Sequence, residues 1–150
     1  MTVNAVASVS LDPMLVLVCP GKKTKLAQRW QTLSGFTINI LREDQQALST
    51  YFAGAWREAV PPPFRFVPSG KAMRLEGCLT AIDCESDQII DAGDHLVVIG
   101  RVLDLHVGIA PHRPLLFFRG RYHQLDIAQA VPAPDLMRSD EEPPHVFYER

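Results

Sequence analysis

Apolar residues follow two patterns along most of this chain, and both are typical of β-strands. The uninterrupted apolar run at residues 14 to 19 is followed by the turn-forming pair Pro20 and Gly21, and it predicts a buried strand. Residues 36 to 41 alternate apolar and polar side chains, which predicts a half-buried strand. Further strands are expected at residues 75 to 85, 95 to 107 and 114 to 122, with a turn at residues 91 to 94.

Two shorter segments have apolar residues at helical spacing. The first predicts a helix over residues 25 to 33, with Thr24 as its N-cap and Gly35 as its stop. The second predicts a helix over residues 43 to 53 that ends at Gly54. Because only two short helices accompany several strands, the pattern favours a mainly β fold, either an antiparallel barrel or a sandwich.

Two proline-rich stretches interrupt these patterns. Residues 55 to 74 combine prolines with aromatic residues, which predicts a long loop that is functional or mobile. From residue 128 onward, prolines are mixed with acidic residues. We therefore expect one domain over residues 1 to 127 and a proline-rich acidic tail over residues 128 to 150, which folds over an exposed strand edge or binds a second protein.

Composition narrows the function classes. The formal net charge of −2 gives no overall electrostatic reason to bind nucleic acid or an anionic membrane. No apolar run approaches the roughly 18 residues of a membrane span, and the first residues do not resemble a secretion signal. The cysteines Cys19, Cys78 and Cys84 lack metal or disulfide spacing, so we interpret them as small buried groups in a reducing compartment. A cytoplasmic location is expected.

Small and hydroxylated residues dominate residues 2 to 13, immediately before the first buried strand. Small side chains let a backbone approach a flat ligand closely, and hydroxyl and amide groups can bond its edge. The alternative interpretation is an edge strand and turn whose hydroxyls are bonded locally.

Lysines precede the first predicted helix, in the segment Lys22, Lys23 and Thr24. A positive charge there opposes the helix dipole by a few tenths of a kcal/mol to about 1 kcal/mol unless an anion is present. A bound phosphate would remove that penalty. The alternative is a solvated basic turn, and the spacing of a Walker loop is absent.

Two histidines have neighbours that are unusual for plain scaffold. His95 begins a predicted strand directly after a turn, and His123 follows Tyr122 and the two arginines Arg119 and Arg121. Either histidine could instead be a surface group or a hydrogen-bonded structural group. The remaining histidines show no metal-ligand spacing with these two, so no metal site is expected.

Taken in order, these segments resemble the flavin reductase-like domain family, whose fold is the FMN-binding split barrel. Members include the reductase components of two-component flavin-dependent monooxygenases. The resemblance implies an antiparallel Greek-key split β-barrel with two short helices. It is carried by residues 1 to 13, 36 to 54, 75 to 81, 92 to 102 and 114 to 123.

The resemblance also implies a role for each candidate residue. It places Thr2, Asn4, Ala5, Ser8 and Ser10 along the flavin, and Lys22, Lys23 and Thr24 by its phosphate. It places Phe52 and Ala53 near the isoalloxazine or a partner subunit. His95 and His123 would flank the nicotinamide pocket, with His95 as the catalytic residue.

The function implied by the resemblance is an NAD(P)H-dependent flavin reductase, with FMN or FAD as flavin and NADH or NADPH as reductant. A homodimer that supplies reduced flavin to a monooxygenase is expected. The alternatives are a flavin-binding electron carrier with little reductase activity and a cofactor-free accessory subunit. The family's usual first helix and strands precede the segment at which this chain begins, so we expect an unpaired strand edge.

Overall fold

The computed structural model describes residues 1–109 and 113–126. Its main feature is a five-stranded antiparallel sheet in the order β1-β2-β7-β6-β3, so β1 and β3 are the outer strands. Two small hairpins, β4–β5 and β8–β9, lie outside this sheet. The strands are β1 (Val6–Leu11), β2 (Met14–Val18), β3 (Gly35–Ile40), β4 (Phe66–Ser69), β5 (Ala72–Leu75), β6 (Thr80–Ala92), β7 (His95–Val107), β8 (Leu116–Phe118) and β9 (Arg121–His123).

The first predicted helix is a 3-10 helix over Ala27–Thr32, not an α-helix over residues 25 to 33. Thr24 still acts as a local cap, because its Oγ1 accepts a hydrogen bond from the Ala27 N–H at 3.2 Å. Gly35 does not stop this helix; it is the first residue of β3. Short helical segments adopt 3-10 geometry readily, and apolar spacing does not separate the two helix types.

The second predicted helix is present in two parts. A 3-10 turn over Glu43–Gln45 leads into α1, the α-helix Gln46–Phe52. The Gln45 side chain joins this turn to the sheet region, because its Oε1 accepts from the Arg42 N–H at 3.0 Å and its Nε2 donates to the Gly77 carbonyl at 3.0 Å. Gly54 follows the helix with φ of 77°, as its predicted stop requires.

Both hairpins outside the sheet differ from the sequence-based expectations. The expected loop over residues 55 to 74 contains β4 and most of β5, joined by a turn at Gly70 with φ of 52°. The expected single strand over residues 114 to 122 is two strands, because Arg119 and Gly120 adopt φ of 50° and 75° and reverse the chain. The strand expected at residues 75 to 85 begins later, at Thr80.

Two apolar clusters pack against the sheet. Buried side chains of β2, β3, β6 and β7 surround the indole of Trp30, which is 3% exposed. The ring of Phe36 packs directly on the backbone of Gly100. A Cβ added to Gly100 would lie 2.5 Å from Cζ of Phe36, so only glycine fits at this position. A smaller cluster joins α1 to the start of β6 and contains Leu48, Leu75, Cys78 and Ala81.

A buried carboxylate fastens the β4–β5 hairpin to the sheet. Asp83 on β6 is 2% exposed, and its Oδ2 accepts from Ser69 Oγ at 2.6 Å and lies 3.0 Å from Nε2 of His106. Its Oδ1 accepts from Thr37 Oγ1 at 3.0 Å. Burial alone raises the pKa of Asp83, but these donors outweigh it and hold the pKa below its usual value.

All three cysteines are free thiols; Cys78 and Cys84 are buried, as predicted, whereas Cys19 is only partly buried. Burial, with a further contribution from the charge of Asp83, raises the pKa of Cys84 to about 11. Burial also raises the pKa of Cys78. These two thiols therefore behave as small apolar core groups at neutral pH. Among the described residues, no helix is long and apolar enough to cross a membrane.

Candidate functional site

A groove of about 770 Å³ opens between β3, α1 and the two small hairpins. We call it the apolar groove. It is also lined by the first residues of the chain, by Val6 of β1 and by Val18 of β2. Its main walls are Trp30, Phe36, Ile38, Phe52, Phe66 and Met73. The volume is within the range of small-molecule and cofactor sites, and so is the predominance of hydrophobic walls.

Polar side chains at the groove are tied to neighbouring protein groups. Thr2 Oγ1 donates to the Ser49 carbonyl at 2.8 Å, and the Thr2 N–H donates to the Phe52 carbonyl at 3.2 Å. The Tyr122 hydroxyl donates to Ser49 Oγ at 3.0 Å. On the opposite wall, Asn39 Oδ1 accepts from the Leu75 N–H at 2.8 Å. These bonds fix the position of the walls and leave an interior suited to a flat, largely apolar ring.

Aromatic rings form one rim of the apolar groove. The rings of Tyr51 and Phe52 on α1 pack with those of Phe64 and Phe66, with centroids 5.1 to 5.9 Å apart. Phe64 and Phe66 remain 38% and 41% exposed. Such a rim supplies stacking surface for a ligand ring or for a partner protein.

A second set of predicted residues meets at one corner of the sheet. An isolated β-bridge joins Gly21 to His95, and the Lys22 N–H donates to the Asp94 carbonyl at 2.9 Å. The sequence reasoning treated the lysine turn and His95 as separate segments. The structure brings them together, because the β6–β7 turn folds back over the residues that follow β2.

Side chains at this corner form close pairs. His95 Nδ1 lies 2.7 Å from Asp94 Oδ1, and this hydrogen bond, with the histidine's charge, lowers the pKa of Asp94. Lys22 Nζ forms an ion pair with Asp91 at 2.5 Å. Thr24 Oγ1 donates to the Gly21 carbonyl at 2.8 Å. The pairing fixes His95 at the rim of the corner, with about half of its side chain exposed.

The small-residue segment is divided between different surroundings. Of its predicted flavin contacts, only Thr2 lines the apolar groove, whereas Asn4, Ala5 and Ser8 are exposed. A bulge between Ser8 and Ser10 places the two hydroxyls on opposite faces of β1, because Ser8 pairs with Val16 and Ser10 with Leu15. Phe52 lines the groove, and Ala53 is exposed at the end of α1.

His123 lies on the far side of the β8–β9 hairpin from the apolar groove. Phe117 and Tyr122 are paired across this hairpin and face the groove, so His123, the next residue of β9, faces the other way. Its Nε2 lies 3.3 Å from the Phe118 carbonyl. The nicotinamide role of His123 stays a prediction.

Sequence reasoning missed most of the groove walls. Trp30 and Phe36 have the spacing of ordinary core residues, and Phe66 and Met73 fell within the expected loop. The apolar pair Phe66 and Val67 is a weak strand signal that the neighbouring prolines obscure. Tyr122 was considered only as the neighbour of His123.

Comparison with known families decides the identity of the fold. The family model described as flavin reductase like domain matches residues 1–126. The chain belongs to this family. This flavin reductase like domain therefore has the FMN-binding split-barrel architecture that the resemblance implied.

Individual relatives agree with the family assignment. The reductase subunit HsaB of a flavin-dependent monooxygenase from Rhodococcus jostii is 38% identical over 140 residues, covering 85% of this chain and 65% of that protein. An NADH-dependent flavin reductase from a Rhodococcus species is 38% identical over 127 residues, covering 85% of this chain and 70% of that protein. Among solved structures, the flavin reductase PheA2 superimposes with a TM-score of 0.75 and 40% identity, covering 82% of this chain and 78% of that one.

Proposed function

We propose that this domain is an NAD(P)H-dependent flavin reductase that supplies reduced FMN or FAD to a monooxygenase partner. The observation that carries the proposal is the apolar groove, which combines hydrophobic walls with an aromatic rim in a chain of the flavin reductase family. The two Rhodococcus relatives are named for the same activity and for the reductase role. NADH is the favoured reductant, because the second relative is named as NADH-dependent.

The groove fits a flavin by the chemistry of its walls. Ile38, which packs against the buried rings of Trp30 and Phe36, offers an apolar surface to a flat ring system, and the Phe52 ring offers an edge for stacking. Thr2, Ser49 and Tyr122 are polar residues of the groove lining that could bond the edge of such a ring. When both cofactors are bound, hydride passes from the nicotinamide to the flavin, and the protein's contribution is to align them and exclude water.

Two side chains of the predicted phosphate turn already have protein partners. Lys22 and Thr24 are engaged with Asp91 and Gly21, so a flavin phosphate would have to displace or share those contacts. Lys23 is exposed and supplies a positive charge beside them. We retain Lys22, Lys23 and Thr24 as proposed phosphate contacts. Asn4, Ala5, Ser8 and Ser10 likewise remain proposed contacts of the flavin.

His95 is the proposed contact of the nicotinamide ring. Support comes from its half-exposed side chain and from Asp94, whose carboxylate holds one ring nitrogen and leaves the other free to face a ligand. Ala53 and His123 are proposed as more peripheral contacts.

The proposal includes a homodimer in the cytoplasm. The exposed aromatic rim of Phe64 and Phe66 supplies apolar surface that a second subunit would cover. Light scattering on the purified full chain should give twice the mass of 16.7 kDa. A monomeric mass at micromolar concentration would contradict this part alone.

The activity is tested by following NADH and NADPH oxidation with and without added FMN or FAD. Rapid oxidation that depends on flavin is the expected result. Protein that binds flavin but does not oxidise the nicotinamide would support the electron carrier instead. Protein that neither binds flavin nor oxidises NADH would support the accessory subunit.

Filling the groove tests the site. Ala72 lines the apolar groove, so Ala72→Trp should place an indole where the flavin ring binds. We expect flavin affinity, measured by fluorescence quenching, to fall roughly tenfold or more, equivalent to about 1.4 kcal/mol. Ala59→Trp introduces the same side chain in an exposed loop and is the matched control. Equal flavin affinity in the two folded variants would remove the groove as the flavin site.

Replacing His95 tests the nicotinamide role. His95→Ala should raise the KM for NADH or slow hydride transfer, because the ring would lose one of its contacts, while flavin affinity stays nearly unchanged. His123→Ala is the comparison variant, with a smaller expected effect. Stopped-flow kinetics at saturating flavin separates the two parameters. An equal loss of flavin affinity in His95→Ala would assign His95 to the flavin.

A further inference from the structure

A second cavity lies beside the strand β5, and no residue that lines it also lines the apolar groove. Its volume is about 660 Å³. We call it the basic pocket and define it by Arg42, Arg74, Gly77, Cys78 and His106, together with the apolar end of β7. None of the described residues that line it is acidic.

Arg42 presents one free edge of its guanidinium to this pocket. Its Nε and Nη2 are held by the carboxylate of Asp44 at 3.0 and 2.9 Å. The remaining Nη1 lies over Gly77, 3.9 Å from the position of a Cβ added there. The Asp44 pair thus fixes the guanidinium plane and leaves Nη1 directed towards the pocket.

Arg74 is the group in this pocket with an unsatisfied hydrogen-bond donor. Its Nε is buried and has no hydrogen-bond acceptor among the described residues. The nearest carboxylate in sequence, Glu76, is engaged by both the Nε and the Nη2 of Arg65. A buried donor without an acceptor is unfavourable, and more so when it belongs to a charged group. A ligand oxygen would relieve that penalty.

The two guanidinium charges act at the same place. Both Arg74 and Arg42 lower the pKa of the Cys78 thiol, although burial raises it overall. His106 completes the wall with an imidazole whose Nε2 is occupied by Asp83 and Ser69 and lies 3.6 Å from Asp104 Oδ2. Those carboxylates face His106 and do not line the pocket.

We propose that the basic pocket binds a small oxyanion of the phosphate or carboxylate class, held between the guanidinium groups of Arg42 and Arg74. Arginine forks match the spacing of paired oxyanion oxygens, and two such groups around one anion give both charge and orientation. Arg74 follows the groove-lining Met73 on β5. A ligand bound to Arg74 would therefore contact β5, the same strand that contributes a wall of the apolar groove.

The oxyanion has two possible sources with the same chemistry. One is free phosphate or a small phosphate ester from solution. The other is the chain's own acidic segment, Asp140, Glu141 and Glu142, which lies outside the described residues. The two sources make different predictions for a variant in which these three carboxylates are neutralised.

The test is calorimetric titration of the full chain with inorganic phosphate at low ionic strength. Wild type should show saturable binding of one phosphate, roughly tenfold weaker or more in Arg74→Gln and Arg42→Gln. Arg57→Gln removes an equal charge from an exposed loop and should change affinity less than about twofold. Arg74→Lys keeps the charge but loses the fork, and we expect an intermediate affinity.

The source is identified with the triple variant Asp140→Asn, Glu141→Gln, Glu142→Gln. If the triple variant binds phosphate with the same affinity as wild type, the natural ligand is a free anion. If the triple variant binds phosphate at least roughly tenfold more tightly than wild type, or if only the triple variant binds it, the natural ligand is the acidic segment of the chain. The proposal is overturned if neither wild type nor the triple variant binds phosphate saturably, or if Arg74→Gln binds as tightly as Arg57→Gln. Flavin titration of the same samples separates this outcome from failure of the reductase proposal.

Discussion

The apolar groove and the basic pocket lie on either side of one short strand, yet they treat polar groups in opposite ways. At the groove, Thr2, Asn39 and Tyr122 are already bonded to neighbouring protein atoms. In the basic pocket, Arg74 carries a charge with a buried donor that lacks an acceptor. A cavity whose polar groups are satisfied selects ligands by shape and apolar contact. A cavity with an uncompensated charge selects them by charge.

Removing Trp30, which forms the floor of the apolar groove, is expected to disturb the groove and to leave the basic pocket intact. Trp30 is 3% exposed and packs against Phe36 with ring centroids 5.1 Å apart. Trp30→Ala should lower the free energy of unfolding by about 3 to 5 kcal/mol, because the lost indole leaves a large cavity. Urea denaturation measures the change. Phosphate binding to the remaining folded protein should persist, since Trp30 does not line the basic pocket.

Trp56 is the matched control for this prediction. It lies in the loop after α1, and its Nε1 donates to the Val60 carbonyl at 3.0 Å. Trp56→Ala should lower the free energy of unfolding by about 1 kcal/mol or less, as expected for loss of one exposed hydrogen bond. Equal losses from the two tryptophans would contradict the assignment of Trp30 to the core.

The second prediction concerns the β4–β5 hairpin, whose strand β5 contributes residues to both cavities. Asp83→Asn keeps the shape of the side chain but removes the charge that Ser69, His106 and Thr37 bond. We expect the free energy of unfolding to fall by about 2 kcal/mol, since one amide cannot accept at both positions. Flavin and phosphate affinities should both weaken, because β5 contributes to both cavities. Asp104→Asn, on an exposed carboxylate, is the control.

The same carboxylate predicts how stability changes with pH. The pKa of Asp83 is below its ordinary value in the folded state, because its donors outweigh the effect of burial. The stabilisation is therefore complete above the unfolded pKa of about 4 and is lost as the pH falls through the folded pKa. Thermal melting should show a steeper loss below about pH 4 in wild type than in Asp83→Asn. Parallel profiles would show that Asp83 is not the titrating group.

The last prediction tests how strongly a nearby surface charge, that of Glu76, affects ligand binding in the basic pocket. Glu76 lies near Arg74 but is paired with Arg65 on the surface. Glu76→Gln should strengthen phosphate binding by roughly twofold at low salt and have little effect at high salt, because exposed charges are screened. Glu58→Gln, in the exposed loop, should have no effect. A decrease in affinity would mean that Glu76 helps to hold the ligand.

Local sequence patterns were sufficient wherever one strand or helix determined its own conformation. The strands β2, β3 and β7 follow from a continuous or alternating apolar pattern, and α1 from helical spacing with Gly54 beyond its end. The β4–β5 hairpin was missed because prolines around it suggest a loop. The β8–β9 turn was missed because Arg119 adopts a positive φ that is uncommon outside glycine, asparagine and aspartate.

The site required information that local patterns do not contain. The family resemblance supplied its candidate residues, but the groove combines Thr2, Trp30, Phe52 and Met73 from four separate segments. Sequence order likewise gave no sign that the lysine turn and His95 are joined by a β-bridge. The bulge in β1 was also unforeseen, and it separates Ser8 from Ser10. Each of these depends on strand pairing across long sequence separations.

Gly100 couples the middle of the sheet to the size of the ligand cavity. The Phe36 ring that lines the apolar groove rests on the bare backbone of this residue, with no room for a methyl group. Any side chain at this position would push the ring away from β7 and into the apolar groove. Homologues with a larger residue at position 100 should therefore carry a smaller residue at position 36. The two residues together would then indicate how thick a ligand the groove of each homologue accepts.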